Sequence, residues 1–353
     1  MREKVSRVTG SWRGGKFLPL TLWPISVNTY ALSKVWFRAS SVRLREGDFS
    51  AIDSSIKKWL YADMLFKPEQ LLLYRAASQG GLGLVSVKLK SQALFIRNFM
   101  DLAANPKYLH SQYLNIFYRA KILEEDLICP SLPPYFDASF FATIKSALNM
   151  GYPVTNMKTR HWYSFLHQQE YSRVVNSVVV PFPCKFELLN PGIELSLVWS
   201  RLRIPAMNSE MHSFAWKVVH GLIPCESLLK RRTGAQRESC RFSCLNNQTS
   251  DLHHCLIQCD LIKDVGSWIL KLVRRSDPST EANDILCLSF SGTDSLVWIV
   301  VYALKYNWDR RSCGKHARLN EFLCTLTVSL QTLSTAGHEN VAEEALLTLR
   351  SVL

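Results

Sequence analysis

The sequence has no apolar run long enough to cross a bilayer and no internal repeat or low-complexity tract. Residues 296–304 are apolar but fall far short of the ~20 residues that a transmembrane helix requires. The apolar stretch at residues 18–27 follows a basic start, but Pro19, Thr21 and Pro24 interrupt it and no small-residue cleavage site follows. We therefore expect a soluble intracellular protein of the nucleus or cytoplasm, with no membrane partner.

Phosphate-binding loops are also missing. The glycine-rich string Gly80-Gly81-Leu82-Gly83-Leu84 lacks both the Lys-Ser/Thr of a P-loop and the third glycine of a dinucleotide fingerprint. We interpret this string as a turn and expect no small-molecule substrate. Ten cysteines in 353 residues are too few for a disulfide scaffold, whereas a hydrophobic content of 47 % is enough to bury a core.

Metal-ligand chemistry concentrates at residues 240–259, which read Cys240-x3-Cys244-x9-His254-x4-Cys259. Three thiolates and an imidazole are the ligand set of a closed, tetrahedral structural zinc site, in which no position stays open for water or substrate. The His-x4-Cys half has the spacing of a zinc knuckle, a module that binds single-stranded nucleic acid. We therefore predict one structural Zn²⁺ in a reducing compartment.

Neighbouring residues leave the ligand set open. His253 could replace His254 as the nitrogen ligand, and Cys255 could compete with Cys259. The cysteines could instead be core thiols or a redox pair. A Cys-His nucleophile is not expected, because neighbours in sequence point in different directions and no orienting carboxylate is evident.

The net charge of +13 is unevenly distributed. Residues 1–50 carry nine Lys/Arg against three acids, and residues 201–241 carry eight against three. The second segment adjoins the cysteines, which is the arrangement that a polyanionic partner requires. We predict RNA or DNA contacts there; a solvated basic surface is the alternative. The predicted contacts are Lys217, Lys230, Arg231, Arg232, Arg237 and Arg241.

Apolar residues recur at helical spacing along most of the chain, which predicts a mainly α fold. We predict helices at residues 27–38, from a Ser50 cap to Leu60, and at 87–104, 138–150, 297–306 and 320–333. Proline-rich breaks at residues 129–134 and 180–192 predict linkers. The helical aromatics Phe214, Trp216 and Trp268 are interpreted as core rather than as base-stacking platforms, and His212 and His220 as structural polar groups.

Two segments resemble the region that follows the polymerase core in non-LTR (LINE-type) retrotransposon reverse transcriptases. The first resemblance rests on NTYALSKVWFR at residues 28–38, LYR at 73–75, the turn at 80–84 and a helix with Lys90, Ala93 and Ile96. It implies a helical thumb-like unit at residues 1–104 and a helical connector at 105–191.

The second resemblance is to the reverse-transcriptase zinc-binding domain at the carboxyl end of the same proteins. It rests on FAWK at residues 214–217, HGLIP at 220–224, residues 228–232, and the flanking Trp199, Pro205 and Trp268. The family pattern places its ligands at Cys240, Cys244, His254 and Cys259, although the interval from Cys244 to His254 is longer than usual. It implies a small CCHC zinc-binding helical domain at 192–310, followed by C-terminal helices at 311–353.

Two-metal polymerase chemistry requires clustered carboxylates, and the sequence has no Asp-Asp pair. In Tyr61-Ala62-Asp63-Met64, the most similar string, methionine replaces the second carboxylate. The chain also begins within the thumb-like region, as a truncated copy would. We expect no enzymatic activity and predict a nucleic-acid-binding fragment. Residual polymerase or endonuclease activity, a zinc-stabilised protein-binding scaffold, and a decayed copy are the alternatives.

Overall fold

A computed structural model describes residues 22–42, 44–60, 67–105, 107, 109–127, 136–175, 178–181, 184–234, 239–242, 244 and 249–350. Within these ranges the chain is mainly helical, which confirms the predicted fold class. They also contain an antiparallel pair of short strands that the sequence analysis did not predict, β1 (Ser172–Val175) and β2 (Val178–Pro181), in which Ser172 pairs with Pro181. None of the helices described is long and apolar enough to cross a membrane.

The α-helices follow one another in this order: α1 (Trp23–Ser26), α2 (Ser33–Ala39), α3 (Glu46–Leu60), α4 (Gln70–Tyr74), α5 (Val87–Ala103), α6 (Leu109–Lys121), α7 (Ala138–Asn149), α8 (Thr159–Tyr171), α9 (Lys185–Leu189), α10 (Leu195–Arg201), α11 (Ser209–Val219), α12 (Glu226–Thr233), α13 (Lys263–Ser276), α14 (Ala282–Cys287), α15 (Asp294–Ser312), α16 (Leu319–Thr335) and α17 (Glu339–Arg350). Short π-helical turns lie at Val27–Ala31 and His254–Gln258.

The contacts divide the chain into two compact units. The first unit contains residues 23–63 and 84–182, and the second contains residues 64–83 and 183–353. The boundaries that the resemblance implies, after residues 104, 191 and 310, stay predictions.

The first unit is organised around α5, which packs against α6 and α8. Ser86 caps this helix by accepting a hydrogen bond from the Leu89 amide at 3.4 Å, as a serine at an N-cap does. One face of α5 contributes Phe95 and Phe99 to an aromatic cluster, in which their ring centroids lie 5.2–5.6 Å from those of the other members. The cluster consists of Phe95, Phe99, Phe136 and Phe140.

Two predicted helices in this unit differ from the structure. The helix predicted at residues 27–38 is a π-helical turn followed by α2, with a break at Leu32. Ser50 is not a cap, because α3 begins four residues earlier at Glu46. There the Asp48 side chain accepts a hydrogen bond from the Arg45 amide at 3.2 Å, and acidic residues in the first turn favour the helix dipole.

In the second unit, the predicted glycine turn packs against α10. Gly80 has a φ of 78°, and a Cβ at this position would lie 2.7 Å from the Trp199 ring. A Cβ on Gly81 would lie 2.1 Å from the Arg75 carbonyl oxygen. Arg75 is itself buried and forms a bidentate ion pair with Glu187, at 2.8 and 3.2 Å. The turn is therefore a packing element, and only glycine fits these two positions.

The longest described helix of this unit, α15, runs through its core and packs against α11, α13, α16 and α17. It extends the helix predicted at residues 297–306, and α16 covers the one predicted at 320–333. The centre of α15 is buried, from Leu296 to Leu304 with Tyr302 partly exposed. The apolar run noted in the sequence is thus a core helix.

Candidate metal centre

Two short segments hold the four candidate ligands. An isolated β-bridge joins Ser239 to Thr249, and Cys240 follows the first of these residues directly. His254 and Cys259 lie at the two ends of the π-helical turn, where the Cys259 amide donates to the His254 carbonyl at 2.9 Å. Asp251 caps this turn, since its carboxylate accepts a hydrogen bond from the His254 amide at 2.7 Å. Local hydrogen bonds therefore fix both halves of the site.

The structure brings together Cys240, Cys244, His254 and Cys259, whose ligand atoms all lie within 4.8 Å of one another. The sulfur of Cys244 lies 3.6 Å from that of Cys240 and 3.5 Å from that of Cys259, and the third sulfur pair is 3.9 Å apart. These distances exclude disulfides, in which the sulfurs are ~2.05 Å apart. All four residues are buried, so the group could hold a metal ion away from solvent.

The alternative ligands lie outside this group. Cys255 instead contacts the Ser250 hydroxyl at 3.2 Å and the Glu226 carboxylate at 3.7 Å. His253 lines a separate cavity on the same unit. Successive residues of a helical turn point in directions about 100° apart, so only one of two neighbours can face the thiols.

A buried arginine lies behind the thiols, and the sequence analysis did not predict it. Arg311, near the end of α15, is 1 % exposed, and its Nη2 donates to Glu226 at 3.0 and 3.2 Å. The same nitrogen lies 3.0 Å from the Ser250 hydroxyl and 3.5 Å from the Cys240 sulfur. Ser250 also donates to Glu226. Three thiolates around a divalent ion would leave one negative charge, which the Arg311 guanidinium would balance, and the Glu226 carboxylate forms a buried ion pair with the same guanidinium.

The burial and the charges of the site set its protonation. Burial raises the pKa of Glu226, but the Ser250 hydrogen bond and the Arg311 charge together lower it further, so the carboxylate is ionised. Burial, followed by the nearby Arg311 charge, lowers the pKa of His254, so its imidazole is neutral at pH 7 and can donate a lone pair to a metal. Burial raises the pKa of Cys244 to about 12, so a metal ion must displace a proton there.

Tight backbone contacts hold the π-helical turn in place. The side-chain amide of Asn307, on α15, donates to the Leu256 carbonyl at 2.9 Å. Gly266 lets α13 approach from the other side, because a Cβ there would lie 2.0 Å from the Ile257 carbonyl oxygen. The ligand-bearing turn is thus positioned by two helices that follow it in the chain.

The predicted nucleic-acid contacts have different surroundings. Lys230, Arg231 and Arg232 are exposed in the last turn of α12, where basic residues favour the helix dipole. Lys217 is partly buried on α11, and this burial lowers its pKa. Arg241 is exposed but bonds to the Ser312 carbonyl at 3.1 Å, with its guanidinium 4.7 Å from the Phe242 ring. The predicted contact Arg237 lies outside the described residues.

The aromatic residues that flank the site belong to the core, as predicted. Phe214, Trp216 and Trp268 are 4–7 % exposed. The Trp216 indole donates to the Gly80 carbonyl at 2.9 Å, and the His220 ring nitrogen lies 3.0 Å from the same oxygen. Burial lowers the pKa of His220 to about 4. His220 is therefore a neutral structural group.

His212 also has a structural role, since its Nδ1 lies 2.8 Å from the Leu202 carbonyl oxygen. Both histidines were predicted to be structural polar groups rather than ligands, and the structure agrees.

A cavity of about 330 Å³ opens beside the candidate metal centre, within the second unit. Arg231 and Arg232 from α12 line one side, and Leu252 and His253, just before the ligand His254, line another. The other lining residues are Asp251 and members of the segments at 67–72, 186–190, 218–228 and 283–287. Sequence reasoning could not have found this cavity, because its walls are far apart in the chain.

No protein-family model matches the chain, and no curated protein is significantly similar to it.

Proposed function

We propose that this chain is a non-catalytic, nucleic-acid-binding part of a LINE-type reverse transcriptase, and that its Cys3His group binds a structural Zn²⁺. The observation that carries the proposal is the position of the basic turn of α12. Its exposed Arg231 and Arg232 line the same cavity as Asp251, Leu252 and His253, which directly precede the candidate ligand His254. The family resemblance stated above points the same way.

The sulfur positions support zinc as the metal. Zinc binds thiolate sulfur at ~2.3 Å in a tetrahedron, whose edges are then about 3.8 Å long. The three sulfur pairs lie 3.5, 3.6 and 3.9 Å apart, close to this edge length. Four buried protein ligands leave no open coordination position, which is typical of a structural rather than a catalytic site.

The basic turn has the chemistry of a phosphate-binding surface. Arginine presents a planar fork of donors that matches phosphate oxygens, and it stays charged at any physiological pH. Arg231 and Arg232 form no ion pair with any acid in the part of the chain that the structure describes. Both side chains are exposed, so an external anion can reach them, and nucleic acid is the polyanion that the zinc-knuckle spacing favours.

Two acidic residues downstream of the candidate metal centre, Asp277 and Asp284, have local structural tasks, which supports a non-catalytic role. Asp277 accepts hydrogen bonds from the Ser279 amide and hydroxyl at 3.1 and 2.6 Å. Asp284 accepts from the Glu281 amide at 2.8 Å within a capping box at the start of α14. The Tyr61-Ala62-Asp63-Met64 string lies outside the described residues.

Binding of a fluorescent single strand, titrated at several salt concentrations, tests the nucleic-acid function. Each phosphate contact releases counterions, so the affinity should fall with salt at a log-log slope of about −0.7 per contact. Reversing Arg231 and Arg232 to glutamate should make the slope shallower by about 1.4 and weaken binding equally on unrelated sequences, because phosphate contacts do not read bases.

A control variant with the same change of charge distinguishes the loss of phosphate contacts from the change in the net charge of the protein. Lys271 and Lys315 are both exposed, and reversing them to glutamate changes the total charge by the same amount. This control should keep most of the affinity and the wild-type slope. Salt-independent binding, or no binding at low salt, would remove the nucleic-acid function and favour a zinc-stabilised scaffold that binds protein.

A further inference from the structure

We propose that the cavity beside the metal group receives one unstacked nucleotide of the bound strand, with its phosphate at Arg231 and Arg232 and its base on the apolar floor. This inference rests on the nucleic-acid function proposed above and adds a specific site to it. Single-stranded recognition commonly uses bases that are splayed out of the stack and held individually.

The size and the floor of the cavity suit a base. Its volume of about 330 Å³ lies at the lower end of the range for small-ligand pockets, roughly 300–1,000 Å³. The floor is formed by buried apolar side chains, and a flat base buries its faces well against such a surface. These side chains are Leu72, Phe186, Val218, Leu222, Leu228 and Leu286.

The charges at the rim favour an anion over a cation. Lys67, Arg231 and Arg232 face two acids, Glu69 and Asp251, so the rim is positive by one charge. The Asp251 carboxylate also accepts a hydrogen bond from the His254 amide at 2.7 Å. One of its oxygens is therefore directed toward the turn that it caps. Arg231 and Arg232 both line the cavity, so a phosphate at its rim lies within reach of these two long side chains.

Polar groups on the cavity wall can form hydrogen bonds with the edge of a base. The side-chain amide of Asn283 donates to the side-chain oxygen of Asn190 at 3.5 Å, which is the outer limit of a hydrogen bond. Because this contact is weak, a ligand can replace it at small cost in free energy. The Nε2 of His253 is shielded from solvent and has no hydrogen-bond partner among the described residues. A buried polar atom without a partner is uncommon, and a base edge that reached it would provide one.

The test compares two strands of equal length, one normal and one in which a central nucleotide is abasic, on the full zinc-loaded chain. The normal strand should bind about tenfold more tightly, because one stacked base contributes about that factor. Asn283→Trp places an exposed ring across the mouth of the cavity. This variant should abolish the difference between the strands and leave the salt slope unchanged.

Lys271→Trp is the matched control, since it adds the same ring on an exposed helix face that does not line the cavity. It should preserve the tenfold preference. Equal binding of the two strands by the wild-type chain would overturn the cavity proposal while leaving the nucleic-acid function intact. A preference for the normal strand that survives Asn283→Trp would also overturn the cavity proposal.

A second probe keeps the two proposals separate if no strand binds at all. A nucleoside 5′-monophosphate is then titrated alone against the wild-type chain and Asn283→Trp. Saturable binding that the substitution abolishes would support the cavity as a nucleotide site even though the strand-binding function had failed. The absence of saturable binding would overturn both.

Discussion

Replacing Arg311 with methionine removes the buried cation behind the candidate metal centre and keeps an unbranched side chain in its place. Nη2 of Arg311 makes contacts of 3.0–3.5 Å with Glu226, Ser250 and Cys240. Glu226, which is 8 % exposed in the native structure, would then keep a hydrogen bond from Ser250 and a more distant Arg241 at 3.9 Å. Breaking a buried ion pair in this way costs about 3–5 kcal/mol, and we expect unfolding free energy to fall by that amount.

The same substitution should weaken metal binding. Cys240 loses a donor 3.5 Å from its sulfur, together with the nearby positive charge that stabilises the thiolate. Groups that orient and stabilise metal ligands typically contribute about 10–100-fold to affinity. Competition with a chromogenic chelator measures this loss, and urea unfolding of the metal-loaded chain measures the stability.

Arg310→Met is the matched control on the neighbouring residue. Arg310 pairs with Glu321 at 2.7 Å, but its side chain is 29 % exposed, so its loss should cost no more than about 1 kcal/mol and leave the metal affinity unchanged. Combining Arg311→Met with Glu226→Gln removes the unpaired buried charge and should recover part of the lost stability.

Two results would refute this reasoning. One is an Arg311→Met variant whose stability and metal affinity match those of Arg310→Met. The other is a double variant that is less stable than the sum of the two single effects, since the Arg311–Glu226 contact would then not be an energetically coupled pair.

Three further predictions follow from the same structure. Cys244→Ser should release the metal and loosen residues about 235–265, whereas Cys287→Ser should do neither; metal analysis of purified protein and hydrogen exchange measure both effects. Trp216→Ala should destabilise the fold by about 3–5 kcal/mol, because it removes a core side chain that is 4 % exposed and bonds to Gly80; weaker strand binding by a variant of unchanged stability would contradict this. Burial lowers the pKa of His220 to about 4, so between about pH 6.5 and 4 the unfolded chain binds a proton that the folded chain does not. Stability should therefore fall as the pH falls through that range, with a smaller slope in His220→Gln; identical slopes would show that His220 does not carry the effect.

Local chemistry explains which parts of the fold were predictable. The helix at Val87–Ala103 could be read from its apolar stripe and from Ser86 as a cap, both of which act within a few residues. The Ser50 cap was wrong because a serine followed by an apolar pattern is also found inside a helix, and here Glu46 and Asp48 supply the favourable first turn. The strand pair at Ser172–Pro181 escaped prediction because its segments are only four residues long.

At the candidate metal centre, the sequence by itself determined the kinds of ligand and their spacing, since thiols and imidazoles at this spacing have few other uses. Only the tertiary structure decided that His254 and Cys259, rather than His253 and Cys255, join Cys240 and Cys244. The reason is directional: the orientation of each side chain depends on how the π-helical turn packs against α13 and α15. The Arg311–Glu226 pair and the cavity likewise exist only after folding, because their residues come from helices that no local pattern connects.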